Sequence, residues 1–583
     1  QFLLGVSYLG RKNYYEAARR LEGFVQRYTN GKWTAKGRFY LAAADLGIGA
    51  PDAAIANYEL FGKLEPSMRP YMDFVIADLL KGRGNIDGAI QRLLPNTKDD
   101  ASAIRGQAME RLADLYSSIQ RPVDAAKWYE SALNEAQGSA KDQARLRFAL
   151  GRAYFSSGNL GGALAQFVTV LRQYPASKEA LSARTTIIQL AGRSNDAVAA
   201  YDKAANDYTQ AANWAGTRFQ LGLSAYERND FQTAANIWRS AAEDPGAPTP
   251  RDLLPKMLMW AGRAEIRRGN GEEAKRLWSK ALEINPEDYY SLRAEDWLNA
   301  SSGKRVAATF NGGAPTAAQK KEMTEWLASL PQRPVAASEV GQMKPYLEAE
   351  PAAKRAMLLL DIGLRNEGGR ELQRLAEQFA KDPSALYQIG AFAQEKHLYE
   401  LAMSIGNMLR ALVPNTNTAD LPTLVQQLLF PLAYNAIVGE EVKKFGVDPY
   451  LLLALMRQES VYNKDVFSHV GAAGLTQVMP ATGQEIAKKL SPSGFSTADL
   501  LQPTISIRFG AWYLAQQLAY FNGDPFFALA AYNGGAGNVN RWRAGAAGYD
   551  DDLFVEKIGF QETQTYVKKV YAYYRLYQRS SSR

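Results

Sequence analysis

The sequence predicts a nearly all-α protein, and three observations lead there. Small and aromatic residues recur through the first half at fixed offsets that suit pairs of crossing helices. The apolar residues of the last third fall at i, i+3, i+4 and i+7, the period of a helix face. Strand signals are sparse throughout. The 583 residues, 46% hydrophobic and 22% charged, have the composition of a globular protein. On length alone they form about four domain-sized units.

The repeats come first. "LGRAYFSSGNLGGALAQFVTVLRQYP" begins at Leu150 and "AGRAEIRRGNGEEAKRLWSKALEINP" at Ala261. Aligned on Gly151 and Gly262, each has an alanine twelve residues on (Ala163, Ala274). An aromatic follows four further on (Phe167, Trp278) and a proline eight beyond that (Pro175, Pro286). Gly222, Ala234, Trp238 and Ala241 keep this spacing, as do Ala113, Ala125, Tyr129 and Ala132, and more loosely Gly5, Ala17 and Leu21. The offsets resemble tetratricopeptide repeats, in which small residues let two helices cross and an aromatic wedges between them. Anchors roughly 35 to 70 residues apart make the array irregular. Each pair buries its face only against its neighbours, so residues 1–300 are expected to build an α-solenoid. Such a solenoid either presents a binding surface or only spaces the molecule, and its sequence leaves both open.

After Leu298 the composition changes. Asn299 to Gln319 is rich in Gly, Ser, Ala and Thr and reads as a linker. Lys320 to Leu412 returns to helical patterns with Pro331, Pro334, Pro345 and Pro351 among them, and "VPNTNTADLP" (Val413 to Pro422) breaks the chain again. The expected domains are therefore 1–300, 301–425 and 426–583, the middle one a helical connector.

Composition excludes several functions. The net charge of +8 is modest for this length, and no compact Lys/Arg block or nucleic-acid motif occurs, which disfavours nucleic acid as a partner. Without cysteine there are no disulfides, thiol nucleophiles or thiolate metal sites. The two histidines, His397 and His469, are far apart, a poor basis for a zinc site or a serine–histidine triad. No run of 18 apolar residues suggests a transmembrane helix. The chain begins Gln1-Phe2-Leu3-Leu4, already in a helical pattern and with no targeting signal; either such a segment has been removed or the chain has been trimmed.

"DPYLLLALMRQESVYN" (residues 448 to 463) carries the first chemical signal. Asp448 followed by Pro449 starts a helix: an Asx cap, then a proline where no N–H is needed. Leu452, Leu455, Met456 and Glu459 share one face, apolar except for the glutamate. Burial and the negative end of the helix both disfavour an ionised carboxyl there and raise its pKa. A carboxylic acid kept protonated near neutrality can act as a general acid. The alternative is a helix end where Glu459 emerges into water.

Three further motifs follow. "SHVGAAGLTQVMPATGQEIA" from Ser468 holds Gly471 and Gly474 in a tight loop, then Gln477 and Met479 before Pro480 opens a helix. "ALAAYNGGAGNVNRW" from Ala528 places Tyr532 and Asn533, a phenol and an amide, at a helix end. "KIGFQETQTYVKKVYAYYRLY" from Lys557 puts Glu562 and Tyr566 at i and i+4, where they can share a hydrogen bond. In this order, over roughly residues 430 to 578, the four motifs resemble the catalytic domain of soluble lytic transglycosylases, lysozyme-like enzymes that cleave bacterial cell-wall glycan. Domain order fits as well, since that family carries a helical superhelix, a linker domain and then the lysozyme-like domain. Three positions depart from its usual pattern: Gly559 where proline is usual, Gln564 where arginine is usual, and Thr476 where methionine is common.

The resemblance implies roles. Glu459 is the single catalytic acid/base and Ser460 helps orient it. Gln477 and Met479 line the sugar cleft, Tyr532 and Asn533 contact substrate, and Glu562 and Tyr566 support the cleft floor. It implies cleavage of the MurNAc–GlcNAc bond with formation of a 1,6-anhydro ring, no metal or other cofactor, and a periplasmic location. The implied partners are peptidoglycan strands and, through the superhelix, wall synthesis or remodelling proteins. A hydrolytic muramidase on the same fold and a non-catalytic glycan-binding scaffold remain alternatives.

Overall fold

The structure is a computed structural model, and it describes residues 1–98, 103–136, 139–191, 195–301, 310, 314–330, 343–414, 416–490, 494–544 and 550–581. The expected all-α class holds. Among the described residues there is no strand, only the isolated bridges Phe467 to Ala473 and Ala473 to Val478.

The chain groups into two compact units: residues 1–207 with 345–375, and residues 208–344 with 376–583. In the first, successive helices pack in sequence order from Phe2–Gly10 to Lys178–Ala191. The small-residue positions explain how they cross. A Cβ on Gly151 would lie 2.6 Å from Phe167, and one on Gly5 would lie 2.6 Å from Leu21. Segment 345–375 joins this unit through an ion pair and hydrogen bonds to residues hundreds of positions away. Lys36 meets Asp361 at 3.0 Å. Buried Glu371 accepts from Arg355 at 2.8 Å, from the Ala103 N–H at 3.1 Å and from the Tyr71 hydroxyl.

The second unit begins with the same design. A Cβ on Gly222 would sit 2.4 Å from Trp238, and one on Gly262 would sit 2.3 Å from Trp278. Both tryptophans are buried, and each indole N–H donates to a carbonyl, Phe219 at 3.2 Å and Met259 at 3.1 Å. The wedge position thus needs a glycine opposite it and an acceptor for the indole, which the repeat offset supplies together.

The linker expected at 299–319 is narrower at both ends. Asn299 to Ser301 still belongs to helix Tyr289–Ser301, and the next helix already starts at Ala317, capped by the reciprocal Thr316 and Gln319 contacts. The interior, 302–309 and 311–313, lies outside the described residues, as do Pro331 and Pro334. Helices Pro351–Asp361 to Tyr399–Ala411 form the expected helical stretch, and only a 3₁₀ turn at Thr418–Asp420 punctuates the break near Val413.

In the remainder of the second unit, helix Pro449–Ser460 packs against the terminal helix Gln561–Ser581 and against helices Asn435–Phe445 and Pro503–Tyr520. That helix is fully apolar-buried from Tyr450 to Met456, so its position is fixed by the core of this unit.

Candidate active site

Helix Pro449–Ser460 starts as its sequence requires: the Asp448 carboxylate accepts from the Tyr450 and Leu451 N–H groups at 2.8 and 3.4 Å. Leu452, Leu455 and Met456 are completely buried on the face that ends in Glu459. The helix stops at once after the glutamate pair, because Val461 and Tyr462 both take positive φ, +50° and +62°. Glu459 therefore sits on the last turn of a rigid, buried rod.

Its residue surface is partly accessible, yet its carboxyl is packed in protein, and burial pushes its pKa from 4.5 up to about 7. The one opposing influence is the Tyr566 hydroxyl, which donates to Oε1 at 2.7 Å. The other oxygen, Oε2, has no protein partner among the described residues. Burial and the charge of Glu459 raise Tyr566 and Tyr532 well above the usual phenol value, so both stay protonated. Arg457, on the same helix, turns away to the Leu429 carbonyl at 2.8 Å and to the rings of Phe430 and Tyr573.

Two expected contacts are different. Glu562 is exposed and does not share a hydrogen bond with Tyr566, whose hydroxyl points instead to Glu459 from the buried side of the helix. Spacing at i and i+4 permitted the pair, but the buried carboxyl is the stronger acceptor for a buried phenol. Ser460 does not bond the carboxylate either. Its hydroxyl lies within hydrogen-bond distance of the Met456 and Leu475 carbonyls, at 3.1 and 2.8 Å, which ties the helix end to the glycine loop.

That loop is held by its own contacts. Gly474 has φ +74°, and a Cβ there would fall 1.9 Å from the Leu500 carbonyl oxygen, so only glycine fits. Gln477, at φ +47°, donates its amide to Gly474 O at 2.8 Å and Val466 O at 3.2 Å. Met479 stands 40% exposed next to it. The loop also meets helix Pro525–Gly534, whose Tyr532 hydroxyl donates to the Thr476 carbonyl at 2.9 Å while Tyr513 packs behind it at 5.0 Å. Asn533 is exposed, and its Oδ1 accepts from the Thr563 hydroxyl at 2.7 Å.

The three unusual positions have local reasons. Gly559 lies so close to Trp542 that a Cβ would meet the indole nitrogen at 2.7 Å. Gln564 donates to the Val555 and Glu556 carbonyls at 2.9 and 3.2 Å, closing the end of helix Asp551–Glu556. Thr476 bonds Ser506 O at 2.8 Å, and Gly510 opposite makes room for it.

Three other carboxylates of this part of the chain are engaged away from Glu459. Asp465 pairs with Lys464 at 2.5 Å, Glu485 with Lys488 at 2.7 Å, and Asp499 accepts from the Ser496 N–H at 2.8 Å. Sequence reasoning missed Thr563, the hidden partner of Asn533, and Asp551. Burial and then neighbouring Asp524 raise Asp551 to about 7, but Asp524 caps the far end of helix Pro525–Gly534 from Tyr532. His469 is exposed, and no group of metal-ligating side chains occurs among the described residues.

The family model described as the transglycosylase SLT domain matches residues 433–555. The match contains Glu459, Ser460, Gln477, Met479, Tyr532 and Asn533 and stops before Glu562 and Tyr566. A soluble lytic murein transglycosylase of Salmonella typhimurium is 29% identical over 357 residues, 59% of this chain and 51% of its own length. That of Escherichia coli K12 is 41% identical over 146 residues, 25% of this chain and 23% of its own. The chain thus spans about half the length, or less, of these curated relatives. Among solved structures, the 70 kDa soluble lytic transglycosylase from Escherichia coli aligns with 97% of this chain and 84% of its own at 20% identity and a TM-score of 0.46. Residues 433–555 thus match the transglycosylase SLT domain, and the chain is similar to the soluble lytic murein transglycosylases.

Proposed function

We propose that this protein is a peptidoglycan lytic transglycosylase in which Glu459 acts alone as acid and then base. The observation that carries this reading is a carboxyl raised to about 7, held at one oxygen by Tyr566 and open at the other. At neutral pH such a group is protonated often enough to give a proton and ionised often enough to take one back. Glu459 protonates the oxygen of the MurNAc–GlcNAc β-1,4 bond as the C1–O bond breaks. The same group then accepts the proton of the muramic 6-hydroxyl as O6 bonds to C1. The ring closes to a 1,6-anhydro end and no water is consumed. An intramolecular nucleophile gains from its high effective concentration, which removes the need for the second carboxylate of ordinary glycosidases.

Support for the single-acid course comes from Asp465, Glu485 and Asp499, which are occupied by local caps and ion pairs. Asn533 and Met479 have exposed side chains, which we assign to sugar binding, with Gln477, Ser460 and Tyr532 holding the glycine loop. Glu562 sits on the surface and is assigned no more than a supporting place at the helix start. The three-part division at about residues 300 and 425, a periplasmic location, glycan strands as substrate and wall-remodelling proteins as partners of the repeats belong to the same proposal. No described helix is long and apolar enough to cross a membrane.

Mass analysis of products released from purified peptidoglycan tests the reading. Anhydro ends are expected, lighter than the hydrolytic products by about 18 Da, the mass of the water that a two-carboxylate hydrolase adds. Products of the heavier mass would make the protein a muramidase, and no products at all would make it a glycan-binding scaffold.

A further inference from the structure

The terminal helix Gln561–Ser581 has two working faces. Thr563, Tyr566, Val570 and Tyr577 are buried, and from this side Tyr566 reaches Glu459 and Thr563 reaches Asn533. Lys568, Tyr571, Arg575 and Arg579 lie at i, i+3, i+7 and i+11 and form a second stripe. Every member of this stripe is held by the helix Tyr289–Ser301 or the residues just before it. Lys568 donates to the Tyr290 hydroxyl at 2.7 Å. The Tyr571 hydroxyl donates to Asp296 at 2.5 Å and accepts from Arg293 at 2.9 Å. Arg575 pairs with Asp296 and, at 3.2 Å, with Glu295. Arg579 pairs with Glu295 at 2.8 Å and donates to the Pro286 carbonyl at 2.7 Å.

We propose that helix Tyr289–Ser301, the end of the repeat array, is a positioning element for the acid: its grip on the outer stripe holds the Tyr566 hydroxyl against Glu459. Asp296 and Glu295 thereby influence proton transfer at a carboxyl they do not touch. The inference rests on the reading of Glu459 as acid/base.

The mechanics are those of a short lever. Tyr571 follows Tyr566 by five residues, about 7.5 Å along the axis of one continuous helix. A hydrogen bond of 2.7 Å tolerates only a few tenths of an ångström before it weakens, so a small tilt at Tyr571 is felt at Tyr566. The groups that face Glu459 are Tyr566 from this helix and Tyr532 from helix Pro525–Gly534, and both remain protonated near neutrality. Arg457 on its own helix is turned to Leu429 and two aromatic rings. The alkaline limb of the rate therefore reports Glu459 itself. Tyr566 lowers the proton affinity of Glu459, so its removal moves that limb upward.

The test uses the full chain and kcat/KM against pH on soluble glycan fragments. Tyr566→Phe is expected to raise the alkaline limb by about one to two pH units, the equivalent of one hydrogen bond to a charged group. Arg575→Gln is expected to raise it in the same direction, Arg575→Lys to restore most of the parent profile, and Arg575→Gln to add nothing in the Tyr566→Phe background. Glu295→Gln, which leaves Asp296 and its partners in place, gives the same reading should Arg575→Gln fail to fold. An unmoved limb in the outer-stripe variants, or an equal shift with and without Tyr566, overturns the inference. A parent protein with no Glu459-dependent cleavage would instead defeat the functional reading on which it rests.

Discussion

Glu459→Gln is expected to leave the fold and glycan binding intact while anhydro-product release falls by about 10³-fold or more, the scale of a lost general acid–base. Glutamine fills the same volume, and its carbonyl can still accept from Tyr566, so packing around the last turn of helix Pro449–Ser460 is preserved. What disappears is the proton that leaves with the glycosidic oxygen and the base that takes one from the sugar. Turnover of purified sacculi at the parent rate would end the assignment.

The same substitution should also change stability, with a sign opposite to that of most carboxylates. Glu459 has a folded pKa raised from 4.5 to about 7, so the native state binds the proton more tightly than the unfolded chain. Stability therefore falls as pH rises from about 4.5 to 7, by at most about 3 kcal/mol, and stays lower above that window. Glutamine removes this penalty. The variant is thus expected to be more stable than the parent above pH 7 and equal to it below 4.5.

Asp552→Ala is expected to destabilise the second unit by about 3 kcal/mol or more, because it leaves buried cations without their shared partner. The Asp552 carboxylate is almost wholly buried and accepts from Arg293 at 2.6 Å, from the Trp297 indole at 2.9 Å and from Arg263. Asp550 still faces Arg263, and Asp296 still faces Arg293, which keeps the loss from being larger. Burial alone would raise the pKa of Asp552, but Arg293 and Arg263 hold it below 3.8. Its contribution is therefore present above 3.8 and lost as pH falls through the lower folded value, so parent and variant should converge in acid. Urea unfolding followed by tryptophan fluorescence reads this unit directly, since Trp238, Trp260 and Trp278 are buried in it. An unchanged midpoint would show that Asp552 contributes nothing net.

What the sequence disclosed and what it hid divide along sequence separation. The cap at Asp448, the apolar face ending in Glu459 and the Gly262–Trp278 crossing are all encoded within twenty residues, where helical period and turn chemistry apply. The donor to Glu459 lies 107 residues away, and the partners of Tyr571 and Arg575 lie about 280 away. No local pattern specifies such pairs. Tyr566 was therefore matched to its neighbour Glu562. Ser460 shows the same limit: the resemblance implied that it helps orient Glu459, and the partners of its hydroxyl are two backbone carbonyls, one of them in the glycine loop.

The central claim is that one buried carboxyl, poised near neutrality, suffices for the chemistry. A titration of the Glu459 carboxyl stretch by infrared difference spectroscopy, parent against Glu459→Gln, tests it most directly. A midpoint at about 7 is predicted. A midpoint at the ordinary 4.5 in the folded chain would contradict it.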